Sequence, residues 1–510
     1  MRRLALVVLV LGSFGSVACG SAAETLPMVG GDGGPAASEP SPLPGQAPGA
    51  DGGRAEGRPA EPPAPPAKAE EVTEQYGVFV AKDGAAENPG TRKSPLASIT
   101  EGIAKAKADK KGRVYVCEGT YLESLELESG VSIVGGLDCS GPTWKLTDKR
   151  STLEAPSSPA IRAVGITIAT RVDGLEVKAP NATSPSGSSI GLFAIDSNAL
   201  TFGKGSITAG DGMKGDDGVE AEQLSFAARN GESGQAPASA SGILAPRAGG
   251  LESEGVCRRP DGTEVMRSYG GRGGDSGMYS RSVVNEPWNE LNRPGGPSNP
   301  TGTGAAGKSG VSSSGGTLTE EGFAPGDGTA GTNGDIGLGG KGASGKAVDR
   351  GVFGTGRWFG ESGAGGGAGG CPGLAGTAGK GGGASFAVAL VRSPVRFDGM
   401  TLVSGQGGAG GRGTVGSEPT AGSTGGNDAS LFDNDATYKS RPGTKGGEAG
   451  VSGHGAGGPS IAIAHEGIAP ILTQTTTKPG AAGEGVAAVT KGSRTLPASA
   501  AGESAAVKAY

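Results

Sequence analysis

The sequence predicts an all-β fold in which short strands return in one pattern, as turns of a coiled parallel sheet, with glycine-rich insertions between them. Two repeats point to it. Ser385 to Gly405 reads SFAVALVRSPVRFDGMTLVSG and follows, almost position for position, the layout of Ser189 to Gly210, SIGLFAIDSNALTFGKGSITAG; a weaker third copy opens at Ser460 with SIAIAHEG. RVDGLEV (Arg171 to Val177) and RFDGMTL (Arg396 to Leu402) are nearly the same heptapeptide, each a strand end, an Asp-Gly turn and a new strand. In a coiled parallel sheet each coil buries its inward face only against its neighbours, so such repetition is what the architecture needs. Alternation alone does not fix pairing direction, and an antiparallel β-sandwich is the competing reading.

Composition narrows the rest. The 510 residues include 103 glycines, 34 prolines and only 4% aromatics, so an ordinary core must be concentrated in a minority of segments. The net charge of -6, from 45 basic and 51 acidic residues without an extended basic block, excludes a nucleic-acid footprint.

Taken in order, residues 1–18 carry Arg2 and Arg3, an apolar run from Leu4 to Leu11, and small residues leading to Cys19. The run is too short to span a bilayer of about 30 Å and reads as an export signal. Ser16-Val17-Ala18-Cys19 resembles the lipobox of bacterial lipoproteins, with Ser16 where Leu is usual; an ordinary signal peptide is the alternative. The resemblance implies cleavage before Cys19, lipidation of its thiol, a lipid membrane as partner and, with Gly20 following, sorting to an outer membrane. Residues 19–72, rich in Pro, Gly and Ala, cannot bury enough surface to offset their ordering entropy and form a disordered tether.

Residues 73–210 change character. YGVFVAKDG is a short strand, and SPLASITEGIAKAKADKKG predicts a helix with Ser94 as N-cap, Pro95 at its first position, an apolar stripe of Leu96, Ile99, Ile103 and Ala104, and a stop at Gly112. RVYVCEGTY and LESLELESGVSIVGG follow as strands, with Leu122, Leu125, Leu127, Val131, Ile133 and Val134 as their apolar positions. This order of strand, Asp-Gly turn, PLASITEGIAKA helix, VYV, EGTY and GVSIVGG resembles the N-terminal cap and first coils of pectin-lyase-like right-handed parallel β-helix proteins. It is most similar to the myxobacterial lipoproteins of unknown function whose coils carry glycine-rich insertions. Ile161, Val164, Ile166, Ile168, Val172, Leu175 and Val177 are the expected inward residues of the next coils.

Two glycine-rich insertions, 211–384 and 406–459, flank the coil 385–405, and a terminal coil and tail occupy 460–510. Both insertions leave after the same strand of the repeat and return before the same serine, which makes them lateral excursions from neighbouring coils. Glycine recurs every third residue, as in Gly367, Gly370, Gly373, Gly376, Gly379 and Gly382. Three residues per turn is the period of a polyproline-like helix. Packed polyglycine II segments and flexible surface loops are the two readings, because ordering glycine costs more backbone entropy than any other residue.

The chemistry-bearing residues are few. With Cys19 set aside, Cys117, Cys139, Cys257 and Cys371 form an even set in an exported chain; order along the chain favours Cys117 with Cys139 and Cys257 with Cys371 among three connectivities. No CxxC or Cys/His spacing supports zinc, His454 and His465 lie far from the cysteines, and no metal or cofactor is expected. The resemblance to β-helix lyases and glycosidases points to Asp173, Glu176, Asp196 and Asp398, with Arg171 or Arg396, as acid/base candidates; for Asp173 and Asp398 the preferred reading is that of turn formers beside glycine, a role that Asp fills constantly. The expectation is a non-enzymatic, lipid-anchored protein of the outer membrane or cell surface, structural or adhesive, with polysaccharide or surface matrix as candidate partner. A carbohydrate-active enzyme is the alternative.

Overall fold

The repeated segments lie side by side as hydrogen-bonded neighbours. In the computed structural model, which describes residues 72–240, 243–282, 284, 287, 289–296, 303–347, 356–428 and 438–510, Ser189–Ile195 pairs in parallel with Ser385–Val391, and that strand pairs in parallel with Ser460–Glu466. Ser189, Ser385 and Ser460 stand opposite one another. The signal segment, Cys19 and the tether through residue 71 lie outside the described residues. Val72, assigned by sequence to the tether, is buried in one cluster with Phe79, Tyr115 and Trp144.

Three parallel sheets result. Sheet 1 holds Gly77–Val80, Arg113–Cys117, Ser132–Asp138, Thr170–Asp173, Leu200–Gly203, Arg396–Asp398 and Ile471–Thr473 in that spatial order. Sheet 2 runs through Gly119–Tyr121, Ser151–Glu154, Leu175–Lys178, Ser206–Thr208, Thr401–Val403 and Thr476–Lys478. Sheet 3 runs through Leu125–Leu127, Ile161–Val164, Ser189–Ile195, Ser385–Val391, Ser460–Glu466 and Ser504–Ala509. From Arg113 onward the chain visits sheets 1, 2 and 3 in turn, and each return adds a strand beside the last. This parallel pairing excludes the antiparallel sandwich; within the three sheets only the short Lys145–Leu146 strand pairs antiparallel.

Alternation along each strand sends one set of side chains into a common core that includes Val80, Val114, Ile133, Val172, Phe202 and Phe397. Like residues stack on like: the Phe202 and Phe397 rings lie 5.9 Å apart at 21°. Of the expected inward residues, Ile161, Ile166, Val172, Leu175 and Val177 are buried. Val164 and Ile168 are exposed, because Val164 takes the outward phase of its strand and Ile168 sits in the turn between sheets 3 and 1. Leu122, between two strands, is exposed as well.

Helix α1 (Ile99–Ala108) packs Ile99, Ile103 and Ala106 into the same core. It starts later than the sequence suggested. Leu96 is drawn into a parallel bridge with Val80, donating its N–H to Phe79 O at 2.9 Å, so Ser98 rather than Ser94 becomes the N-cap and accepts from Glu101 N–H. The Glu123 carboxylate takes the free N–H groups of Ile99 and Thr100 at 2.7 and 2.9 Å. Ala104 faces outward, and α1 ends at its C-cap Asp109, before Gly112.

The glycine-rich stretches depart from the ends of sheet 2 strands and re-enter at sheet 3 strands. A serine staples each neck. Ser385 Oγ donates to Gly210 O at 2.6 Å, Ser460 Oγ to Gly405 O at 2.6 Å, and Ser504 Oγ to Gly480 O at 2.7 Å. Within the excursions the backbone is hydrogen-bonded at three-residue intervals. The amides of Gly367, Gly370, Gly373, Gly379 and Gly382 donate to the carbonyls of Arg441, Thr444, Gly447, Gly453 and Ala456, and Ser385, the first residue of its strand, donates to Pro459. Both numberings rise together, so these segments are parallel, and their ladder, which skips Gly376, leads into sheet 3. A third segment crosses antiparallel, with Gly334, Gly337 and Gly340 donating to Gly373, Gly370 and Gly367.

Consecutive amides also point to different neighbours. Gly365 donates to Glu232 O at 2.9 Å, Gly366 to Gly271 O at 2.7 Å and Gly367 to Arg441 O at 2.9 Å. Glycine is required by this close approach: a Cβ on Gly369 would overlap the carbonyl of Gly337. Where the triplet pattern carries other residues, side-chain oxygens take over as acceptors. Ser417, Thr420 and Ser423 accept from the amides of Leu374, Cys371 and Ala368 at 2.9, 2.8 and 2.8 Å. The hairpin of Thr317–Thr319 and Gly322–Ala324, part of the first excursion, lays Leu318 and Phe323 against the outward residues Phe193, Phe386, Ala389 and Ile461 of sheet 3.

Gly369→Ala is expected to cost about 1–3 kcal/mol through backbone displacement, lowering Tm and accelerating amide exchange in the glycine segments more than in sheets 1 and 2. Hydrogen-exchange mass spectrometry reads this directly; exchange and Tm equal to the parent would show that the segments do not pack.

Candidate functional site

Four of the candidate residues meet on the outward face of sheet 1. Register places Arg171, Thr201 and Arg396 in one column and Asp173, Gly203 and Asp398 in the next. Arg171 Nε lies 2.6 Å from Asp173 Oδ2, and its Nη2 lies 3.7 Å from Asp398 Oδ2. The side chains of Arg171 and Asp173 are 13% and 8% exposed, and that of Asp398 is 49% exposed. Gly203 leaves the room for this group, since a Cβ there would overlap Asp173 Oδ1 and Arg171 Nη2. Asp173 Oδ1 has no hydrogen-bond partner, and Arg396 no ion-pair partner, among the described residues.

Both aspartates precede a glycine with positive φ, Gly174 at 67° and Gly399 at 62°, so each also occupies the turn from sheet 1 into sheet 2. Chemically the arrangement is one guanidinium shared by two carboxylates. Acid/base work needs two carboxyls facing a substrate at a set separation. Here the intervening space is filled by Arg171.

The other two candidates lie elsewhere. Glu176 is on the outward face of sheet 2, 3.4 Å from Lys178 Nζ, and Lys178 also reaches Glu154 at 3.5 Å. Asp196 sits in the turn after Ser189–Ile195 and takes a two-pronged contact from Arg392 at 2.7 and 2.8 Å, which holds its carboxyl below the usual range. Arg392 also reaches Glu320 at 2.8 Å, tying the covering hairpin to the coil.

The four cysteines are joined as Cys117–Cys139 and Cys257–Cys371, the latter closing 114 residues of sequence and buried beside Leu224. Among the described residues no group of three or more His, Cys, Asp or Glu could hold a metal ion. His465 is buried on sheet 3 with Nδ1 unpartnered. His454 is enclosed among glycine segments, where Nδ1 accepts Gly413 N–H at 2.7 Å and desolvation lowers its pKa, with Arg412 adding in the same direction. A cavity of about 590 Å³ lies beside Asp428, Tyr438 and Lys439, where burial pushes the Asp428 carboxyl up. Residues 429–437, which connect two of its walls, lie outside the described residues.

One surface escaped the sequence reading. On sheet 2 the outward positions Ser206, Thr401 and Thr476 stand in register, and Thr208 lies in a second column between Lys178 and Val403, which Lys478 ends. Its signal was present as SIT, TLV and TTK at matching places in the three repeats. Comparison with protein-family models, with curated proteins and with solved structures finds no match to this chain.

Arg171→Ala is expected to destabilise the fold by about 3 kcal/mol, because it strands the buried Asp173 carboxylate; Asp173→Asn in the same chain should recover much of the loss in chemical denaturation. His454 gives a pH dependence with a defined sign. Its folded pKa is depressed below the ordinary 6.5, so both states are neutral above that value and the unfolded chain binds the proton first below it. Stability should therefore be full above about pH 6.5 and fall as pH drops below it, and His454→Gln should remove that component from the Tm profile.

Proposed function

We propose that this protein is an exported surface lipoprotein with a structural or adhesive role, contacting polysaccharide or surface matrix. Its body is read as a right-handed parallel β-helix capped by α1, with polyglycine II bundles as side insertions, and the resemblance to pectin-lyase-like lipoproteins belongs to the same reading. The observation that carries it is the parallel ladder in which the amides of Gly367, Gly370, Gly373, Gly379 and Gly382 lead into Ser385 and sheet 3, which joins insertion and coil into one hydrogen-bonded body. Such a body offers an extended, protease-resistant surface. The two disulfides suggest a non-cytoplasmic location, and no helix among the described residues is long and apolar enough to cross a membrane. Lipidation at Cys19 and the tether that follows it would supply attachment.

The carbohydrate-active alternative would draw on Asp173 and Asp398. Their common contact with Arg171 weighs against them as an acid/base pair, since each proton transfer would have to break that ion pair.

The test uses the full chain in a Gram-negative host. The parent is expected in the outer-membrane fraction and the detergent phase, and Cys19→Ser in the soluble exported fraction with its disulfides intact. Recovery of the parent as a soluble cytoplasmic protein with reduced cysteines would sink the proposal.

A further inference from the structure

Of the three outward sheet faces, two are occupied in their later coils. Sheet 3 is covered by the hairpin carrying Leu318 and Phe323, and sheet 1 carries the Arg171, Asp173 and Asp398 group with Arg396. Sheet 2 presents something different. Ser206, Thr401 and Thr476 follow one another on adjacent strands, roughly 4.8 Å apart, with Thr208 beside them. Thr476 is exposed and the other three are half-buried. Their hydroxyls make no hydrogen bond to any described residue, whereas Ser189, Ser197, Ser385, Ser393 and Ser460 at the corners all do. Beyond Glu176 the same column continues with Thr152 and Thr120.

From this register we propose that the outward face of sheet 2, centred on Ser206, Thr401 and Thr476, binds an extended, uncharged, β-linked polysaccharide lying across the strands. This rests on the reading of the protein as one that contacts polysaccharide, and it names the face and the ligand class. A comb of unpartnered hydroxyls at strand spacing can exchange hydrogen bonds with a polymer that repeats its own hydroxyls on a similar scale. The face has no aromatic or methionine side chain of the kind that anchors protein interfaces. Its charges are few: Glu154 and Glu176 share Lys178, and Lys478 stands at one end, so an acidic polymer finds no row of cations.

The test measures binding of the full chain to cellulose and chitin, with polygalacturonate as the acidic comparator, for the parent, for Thr401→Val, and for Ser206→Ala with Thr401→Val and Thr476→Val. The parent is expected to bind at least one uncharged polymer in preference to polygalacturonate. The single change should weaken that binding measurably and the triple change at least tenfold, with Tm within a few degrees of the parent. Because Thr401→Val replaces one half-buried hydroxyl by a methyl of similar shape, it remains informative if the triple variant does not fold. Unaltered binding by Thr401→Val and by a folded triple variant overturns the proposal, as does a parent that binds neither uncharged polymer or prefers the acidic one. A parent that reaches the outer membrane but binds no glycan defeats this inference alone; one that binds glycan but stays cytoplasmic defeats the anchoring proposal alone.

Discussion

The constraint on which the rest of the structure depends is that a buried amide must find an acceptor. In the coils the parallel sheets meet it in one direction on each side of a strand. In the excursions there are almost no side chains to bury, and consecutive amides such as those of Gly365, Gly366 and Gly367 reach three different segments. Glycine is used because the carbonyls must come within contact distance, and Ser, Thr, Asn or Asp enters where the side chain itself can accept, as at Asn333 for Ala375 N–H and Asp327 for Gly381 N–H.

Such a bundle has little energy of its own. Fixing a backbone residue costs about 1–2 kcal/mol, and more for glycine, while a net hydrogen bond returns about 1 kcal/mol. Order must therefore be imported from elements that do bury apolar surface. Three connections do this: the ladder that runs into sheet 3, the serine staples from Ser385, Ser460 and Ser504 at the necks, and the disulfide from Cys257 to Cys371. Closing a loop of about 100 residues removes roughly 4–5 kcal/mol of unfolded-chain entropy in the chain-entropy account.

What could be read from the sequence follows from which residues encode their partners. Ser189, Ser385 and Ser460 mark equal places in neighbouring coils because stacked strands share one inward pattern, so the repeat carried the register. The start of α1 was missed because Ser94 and Pro95 form a sound local helix signal that a long-range bridge from Leu96 to Val80 overrides. Val164 and Ile168 are apolar yet exposed, because strand phase sets the direction of the one and a turn position that of the other, and hydrophobicity alone shows neither. The glycine period was visible, but glycine has no side chain with which to name a neighbour. Ser417, Thr420 and Ser423 repeat at the same period and supplied the missing signal, since acceptors spaced three apart imply donors spaced three apart. The candidate carboxylates were half legible: the repeated Asp-Gly placed Asp173 and Asp398 in equivalent turns, but only pairing through Leu200–Gly203 showed that Arg171 reaches both.

The outward faces have thus been put to different uses by one circuit of the chain. All the long excursions leave at the corner between sheets 2 and 3, and the apolar hairpin of the first folds back to cover sheet 3. Sheet 1 lies across the body from that corner and spends its charged residues on bracing adjacent coils, where Gly203 yields space to an ion pair spanning three strands. Neither demand falls on the later strands of sheet 2, beyond the Glu154, Glu176 and Lys178 group. Those strands need only small, β-compatible side chains to keep the stack flat, and threonine meets that need with a branched Cβ while leaving a hydroxyl to solvent. A face chosen for stacking alone could equally have carried valine, as it does at Val403. The unpartnered hydroxyls at Ser206, Thr208, Thr401 and Thr476 are therefore the part of this surface that stacking does not account for.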